Sequence, residues 1–157
     1  MVDIAEYQRK FLVVIDGTVE CDRAVTFAAY RVHRTGGTVV LMSVVEPPDF
    51  IGMGVEDVLR AEAVEQAERD LDARLQRLKA IGNVKVESVV CEGSGFEEIE
   101  RVINQDRAIA ILVLAASISA ENPGPLVQHF ANRAHALPIP MTIVPGRMTD
   151  EEIIAVC

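Results

Sequence analysis

The stretch "FLVVIDGTVECDRAVTFAAYRVHRTGGTVVLMSVVEPP" (Phe11 to Pro48) changes its hydrophobic period twice. Phe11 to Ile15 is a continuous apolar run, ended by the turn-forming Asp16-Gly17-Thr18. Cys21, Ala24, Ala28 and Val32 then recur at helical spacing, and Thr35-Gly36-Gly37 stops that helix with glycines at its C-terminal position. Thr38 to Val45 is apolar again and closes at Glu46-Pro47-Pro48, because proline cannot continue a ladder. Strand, helix, strand in this order predicts two parallel strands joined by a right-handed crossover.

The alternation continues outward. After an irregular connection, "DFIGMGVED" (Asp49 to Asp57), a long helix is predicted from about Val55 to Ile81, with Val64, Ala67, Leu71, Leu75 and Leu78 on one stripe. Its outer face pairs Glu65 with Arg69 and Asp70 with Arg74 at i, i+4, the pattern of a solvated helix. Val84 to Cys91 begins as a strict alternation and reads as a half-exposed edge strand. Ser94 and Glu97 form a capping box for a helix whose buried stripe is Phe96, Ile99 and Ile103. Ile109 to Leu114 is the fourth strand and Gly124 to Leu137 the fourth helix. Pro138 to Gly146 is a proline-bracketed fifth strand, placed at a sheet edge. In the tail, Thr149 and Glu152 form a second capping box. The expectation is a single α/β domain over residues 1–146 and a tail over 147–157 with a short helix. Its open parallel five-stranded sheet carries helices on both faces.

Composition narrows the function classes. Half of the 157 residues are apolar and few are aromatic, which suits buried parallel strands under alanine-rich helices. The formal charge of −9 argues against nucleic acid or an anionic membrane as partner, since both require a basic footprint. The longest uninterrupted apolar run, Ala108 to Ala116, is far short of the roughly 20 residues that span a bilayer. "MVDIAEYQRK" contains neither an apolar core nor a small-residue cleavage site, so an export signal is not expected. Cys21, Cys91 and Cys157 are odd in number and widely spaced, which suggests neither a disulfide framework nor a zinc site. A reducing cytoplasm is the expected compartment. Cys91 and Cys157 show no basic neighbour in sequence and leave their redox role open.

The stricter catalytic and phosphate motifs fail. No Gly-Lys-Ser/Thr occurs, so a Walker loop is excluded. "GMGVED" (Gly52 to Asp57) mimics a dinucleotide fingerprint but ends in Asp and does not directly follow a strand. "EGSGF" has Glu92 and Phe96 where a nucleophile elbow needs glycines, which leaves Ser94 as a helix cap. Of His33, His129 and His135, the last two lie six residues apart on one predicted helix and face different ways, so no metal site follows. No catalytic constellation emerges, and an enzyme is not expected. Ligands of an open parallel sheet settle beyond the carboxyl ends of its strands. Asp16 stands at one such end, where turn formation and helix capping also account for it. The other is "LAASISAENPGPL" (Leu114 to Leu126), which offers two serines, a glutamate and an asparagine where a phosphate loop would use glycines.

Four stretches in the right order resemble the universal stress protein family. "KFLVVIDGTVECDRAVTFAAYRV" resembles the family's opening strand, its V-D-G-S turn and its first helix. "GGTVVLMSVVEPP" is similar to the second strand, "VVCEGSGFEEIERVI" to the E-G-x-P-x-x-x-I junction and "HALPIPMTIVPG" to the H-A-P-C-P-V-L-V-V ending. The likeness covers about Lys10 to Gly146, and the acidic long helix resembles a bacterial, proteobacterial branch. The resemblance implies sheet order 3-2-1-4-5, a Rossmann-like fold of the adenine-nucleotide alpha-hydrolase type, and a homodimer formed through the last strand, here Met141 to Val144. It also implies ATP in many members, with Asp16 and Val44 matching two of their ligand positions. The family's phosphate motif, G-x-x-G-(nine residues)-G-Ser/Thr, falls here on Ala115, Ile118 and Val127-Gln128, none of which keeps its residue. Ile118 is β-branched where backbone would approach phosphate, and Glu121 adds a negative charge.

The resulting expectation is a homodimeric stress-type regulatory or interaction protein with no ATP on the usual loop and no cofactor. The alternative is an adenine-nucleotide sensor using Asp16, Val44, Ala115, Ser117, Ser119 and Gly124, with the serine-bearing loop 115–125 in place of the glycines. Unidentified protein partners go with the first reading. Dimerisation has its own motive, because an apolar uncapped edge such as "MTIV" invites pairing. Ile153, Ile154 and Val156 could fold over that edge or over a partner subunit.

Overall fold

The computed structural model describes residues 9–47, 54–119 and 121–157. Five strands, β1 (Lys10–Val14), β2 (Thr38–Val45), β3 (Lys85–Glu92), β4 (Ile109–Ala116) and β5 (Met141–Pro145), alternate with α1 (Cys21–Thr35), α2 (Val55–Lys79), α3 (Gly95–Gln105) and α4 (Pro125–Asn132). A last helix, α5 (Asp150–Val156), follows β5. All pairings are parallel and the order is β3-β2-β1-β4-β5, the order that the family resemblance implies. Most of the irregular connection Asp49 to Asp57, with the start of the "GMGVED" stretch, lies outside the described residues.

Side chains alternate across a strand, so each strand of a sheet covered on both faces must be apolar throughout. Phe11, Val13, Val39 and Leu41 point into one core, shared with Val25 and Ala28 of α1, Leu71 and Leu78 of α2, and Ile153 of α5. Leu12, Val40, Met42 and Leu112 point into the other, shared with Ile99 and Ile103 of α3 and Val127 and Phe130 of α4. β1 lies at the centre, with Leu12 and Val13 wholly buried. Gly37 sits at φ +119°, and a Cβ there would stand 2.6 Å from the Arg9 carbonyl oxygen. That oxygen accepts the Thr38 N–H at 2.9 Å, so the tight entry into β2 requires glycine.

Several local expectations are corrected. The fourth helix stops at Asn132, five residues before Leu137. Arg133 to Ala136 form turns, with Ala136 N–H donating to the Arg133 carbonyl at 2.9 Å. Pro138 disfavours helix at Leu137, and with α4 ending at Asn132, His135 lies off the helix that carries His129. Ser94 is the N-cap of α3 but makes no side-chain cap bond, so the capping box with Glu97 is absent. Asp70 does not pair with Arg74 through its carboxylate, which accepts from Gln66 instead. Arg74 turns to Asp22 of α1 at 2.9 Å, a tertiary bond that outcompetes the local one. Glu65–Arg69 does form, at 3.8 Å. Thr149 caps α5, accepting the Glu152 N–H at 3.2 Å. Within the chain, the tail does not fold over the β5 edge. α5 packs on α1, Ile153 is fully buried there, and Val156 stays 63 % exposed.

At the amino ends of the strands, Lys10 Nζ donates to Asp106 Oδ2 at 2.8 Å and to Glu87 Oε2 at 3.1 Å. The Lys10 bond holds the Asp106 carboxyl below its ordinary range. The Asp106 bond in turn holds the Lys10 ammonium above its own. A depressed folded pKa gives stability that is present above the unfolded value of about 3.9 and lost as pH falls through the folded one. A raised lysine pKa gives stability that is present below about 10.4 and lost as pH rises further. Asp106 is over one-third exposed, and solvent screening keeps the contribution small. Asp106→Asn should therefore lower stability by about 0.5–1 kcal/mol at pH 7. In urea titrations across pH, that difference should shrink towards zero below about pH 3.

Candidate functional site

Strand order reverses at β1, because its crossover leads to β2 on one side while β4 arrives on the other. A groove of about 530 Å³ opens at the carboxyl ends of these strands. β1 and its turn supply Val14, Asp16 and Thr18, and β2 supplies Val44 and Glu46. α3 adds Gly95, Phe96 and Ile99, and α4 adds Pro125 and Leu126. A hollow of about 670 Å³ near Arg107 and Pro140 lies at the opposite, amino end of β4. Open parallel sheets bind ligands at the carboxyl end, so the switch-point groove is the candidate site.

Two carboxylates reach it. Asp16 Oδ1 accepts the Thr18 N–H at 3.0 Å and the Thr18 hydroxyl at 2.6 Å, closing a turn on Gly17. The N-cap position of α1 is Glu20, so Asp16 forms the turn and does not cap the helix. Glu46, absent from the expected set, accepts the Gly95 N–H at 3.2 Å, so a carboxylate following β2, and not the Ser94 side chain, meets the N-terminus of α3. A carboxylate at a helix N-terminus is favoured by the unpaired N–H groups and the helix dipole. No linear spacing links residues 49 apart; the adjacent Pro47 marked only a strand exit.

Phe96 is the aromatic wall. Its ring lies parallel to that of His129, centroids 3.9 Å apart at 4°, and meets Phe130 edge-on at 6.3 Å. His129 Nε2 is buried without a hydrogen-bond partner and sits 3.6 Å from Glu100 Oε1, so His129 packs between α3 and α4 as a structural group.

Four N–H groups of the loop after β4 find acceptors within the loop. Ser117 N–H donates to the Pro123 carbonyl at 2.8 Å and Gly124 N–H to Asn122 Oδ1 at 2.9 Å. The Ser117 hydroxyl oxygen accepts the Ser119 N–H at 3.1 Å, and the Ser119 hydroxyl oxygen accepts the Glu121 N–H at 3.3 Å. Gly124, at φ +99°, is the N-cap residue of α4, and Pro125 at the first helical position has no N–H to offer. Ala115 packs against the core on the α1 side. Of the expected site residues, Asp16 and Val44 line the groove together, while Ala115, Ser117, Ser119 and Gly124 do not. Val127, at the position of the family's closing glycine, is buried in the core beneath α4.

All three thiols have basic neighbours, Arg31 and Arg34 in the case of Cys157. Arg74 Nη2 lies 3.6 Å from Cys21 Sγ, and Arg101 Nη2 lies 3.6 Å from Cys91 Sγ. Burial outweighs both and pushes these thiols up from their ordinary range, as it does Cys157, which disfavours the reactive thiolate. No group of three metal-ligating side chains occurs among the described residues. No helix among them is long and apolar enough to cross a membrane.

The sequence pattern of the Universal stress protein family matches residues 8–145. The chain belongs to that family. Universal stress protein UspA from Lactobacillus plantarum superposes with a TM-score of 0.75 at 17% identity, over 88% of this chain and 97% of its own. A universal stress protein solved in complex with cAMP gives 0.62 at 16%, over 88% and 98%. A family member from Arabidopsis thaliana with AMP bound gives 0.60 at 15%, over 91% and 94%. At these identities the likeness is one of fold. No curated protein matches the chain.

Because Asp16 ties down its own turn, Asp16→Ala should cost about 0.5–1.5 kcal/mol in urea unfolding with no ligand added. Asp16→Asn, which keeps the accepting oxygen, should recover most of that loss.

Proposed function

We propose that this chain is a homodimeric, cytoplasmic regulatory or interaction protein of the universal stress type, not an enzyme, that does not hold ATP through the loop after β4. The observation that carries this reading is the loop's own hydrogen bonding. The N–H groups of Ser117, Ser119, Glu121 and Gly124 already have acceptors within the loop. A phosphate would have to break those bonds, and the groove's charged side chains, Asp16 and Glu46, would repel it. A second reading, a nucleotide sensor built on Asp16, Val44 and loop 115–125, is favoured by one fact: Asp16 and Val44 share the groove. The relatives with cAMP and AMP belong on that side of the balance.

Protein purified without added nucleotide should release no ATP on denaturation. Calorimetric titration with ATP and magnesium should give a Kd weaker than about 1 mM. Co-purified ATP, or micromolar affinity, would establish the second reading.

The free side of β5 supports the dimer. β5 pairs only with β4 among the described strands, and Ile143 is 40 % exposed. An unpaired apolar edge is a template for a second chain. Sedimentation at micromolar concentration should give twice the monomer mass, and Ile143→Lys should shift it towards the monomer. A wild-type monomer at that concentration would remove the edge-pairing proposal.

A further inference from the structure

We infer that the amino end of the sheet, from Lys85 across to the hollow beside Arg107, is a docking face for an acidic protein segment that carries a bulky apolar side chain. This rests on the reading of the chain as an interaction protein and names the class of partner it would take.

The strands are all parallel, so they start at one end, and the helices between them finish there. Arg9 immediately precedes β1, and Arg34 and Lys79 lie in the last turns of α1 and α2. Lys85 opens β3, and Arg107 stands just before β4. Among the described residues, none of these cations has a carboxylate partner. Lys10, in the same row, takes both Glu87 and Asp106. Elsewhere the pattern is one of pairs, Arg23 with Asp150, Arg60 with Glu92, Arg74 with Asp22 and Arg101 with Glu98. A chain of formal charge −9 thus gathers unpaired positive charge at one end. Complementing the helix dipole accounts for Arg34 and Lys79, but Arg9, Lys85 and Arg107 lie on no helix.

Register gives the face its width. Lys85 is level with Thr38, Thr38 with Lys10, and Lys10 with Ile109. Three strand spacings make that row roughly 14 Å wide, the length of about four extended residues. A short acidic segment fits within it. A nucleic acid or a bilayer surface extends past it and meets the carboxylates that make the rest of the molecule acidic.

The row ends at an apolar hollow. About 670 Å³ opens beside Arg107, walled by Ile109, Ala110, Ile139 and the rings of Pro138 and Pro140. The prolines stiffen that wall, because each ring locks its own backbone torsion. A side chain the size of leucine, next to the acidic run, would bury apolar surface there while the charges set the register.

The test is fluorescence anisotropy of the full chain with a labelled peptide of about four glutamates followed by leucine. Binding should be micromolar at low salt and weaken at least about tenfold at moderate salt, because the attraction is screened. Lys85→Glu and Arg107→Glu should each weaken it at least about tenfold. Both side chains are exposed, so the melting temperatures should stay near that of the wild type. Arg147→Glu, beyond β5 at the opposite end, alters the net charge equally and should change little. Alanine in place of the peptide's leucine should weaken binding several-fold. No binding at low salt, equal losses in Arg147→Glu and Arg107→Glu, or no loss with the alanine peptide would overturn the inference. Tighter binding of an oligothymidylate of equal charge would overturn it too, by marking a general polyanion face. Each of these results leaves the loop after β4 and the β5 edge to the ATP and sedimentation experiments.

Discussion

The parallel pairing of β1 between β2 and β4 is the constraint on which the rest depends. A strand hydrogen-bonded on both sides and covered on both faces has nowhere to place a polar side chain. Leu12 and Val13 are accordingly wholly buried, one in each core. The same pairing makes the chain cross over to β2 and return by way of β3 to β4, which opens the groove at the carboxyl ends. Lys10, at the other end of β1, ties Glu87 and Asp106 together and closes the amino side with charge. One strand thus divides the molecule into a stapled end and an open one.

At the open end, the loop after β4 supplies acceptors for several of its own backbone donors. Backbone N–H groups that leave a strand must find partners, and a glycine-rich loop leaves them to the ligand. Here Ser117, Ser119, Asn122 and the Pro123 carbonyl take that role, and Pro125 removes one donor altogether. The loop keeps the path of a strand-to-helix junction while spending its donors internally. Glu46 does the same for α3, filling its N-terminus with a carboxylate where an anionic ligand would otherwise be welcome. Both devices engage backbone N–H groups at the start of a helix or in the loop leading to one.

The fold was legible because its signals are local and repeated. The apolar runs of β1 and β4, the glycines after α1 and the stripes on α3 all depend on neighbours a few residues away, and each predicted element exists. The errors fall where a distant group competes with a near one. Asp22 takes Arg74 from Asp70, Glu46 takes the N-terminus of α3 from Ser94, and α1 takes the tail from the β5 edge. The fourth helix runs five residues short of its expected end, since periodicity continued through Ala134 to Leu137 while Pro138 disfavoured helix before it.

Sequence alone determined the α/β class and the order of elements, because burial on two faces and turn chemistry are written in residue type and spacing, and its resemblance to the family's motifs pointed to the family. The resemblance also pointed to Asp16 and Val44 and to a loop after β4 that lacks the family's phosphate glycines. Only the tertiary structure decided which groups share the groove, joining Glu46, Phe96 and Leu126 to Asp16 and Val44 and leaving the two serines outside. The physical reason is that strand and helix patterns report what each segment buries, whereas a site is assembled from segment ends. Where those ends meet is set by the crossovers, over separations that no local pattern encodes.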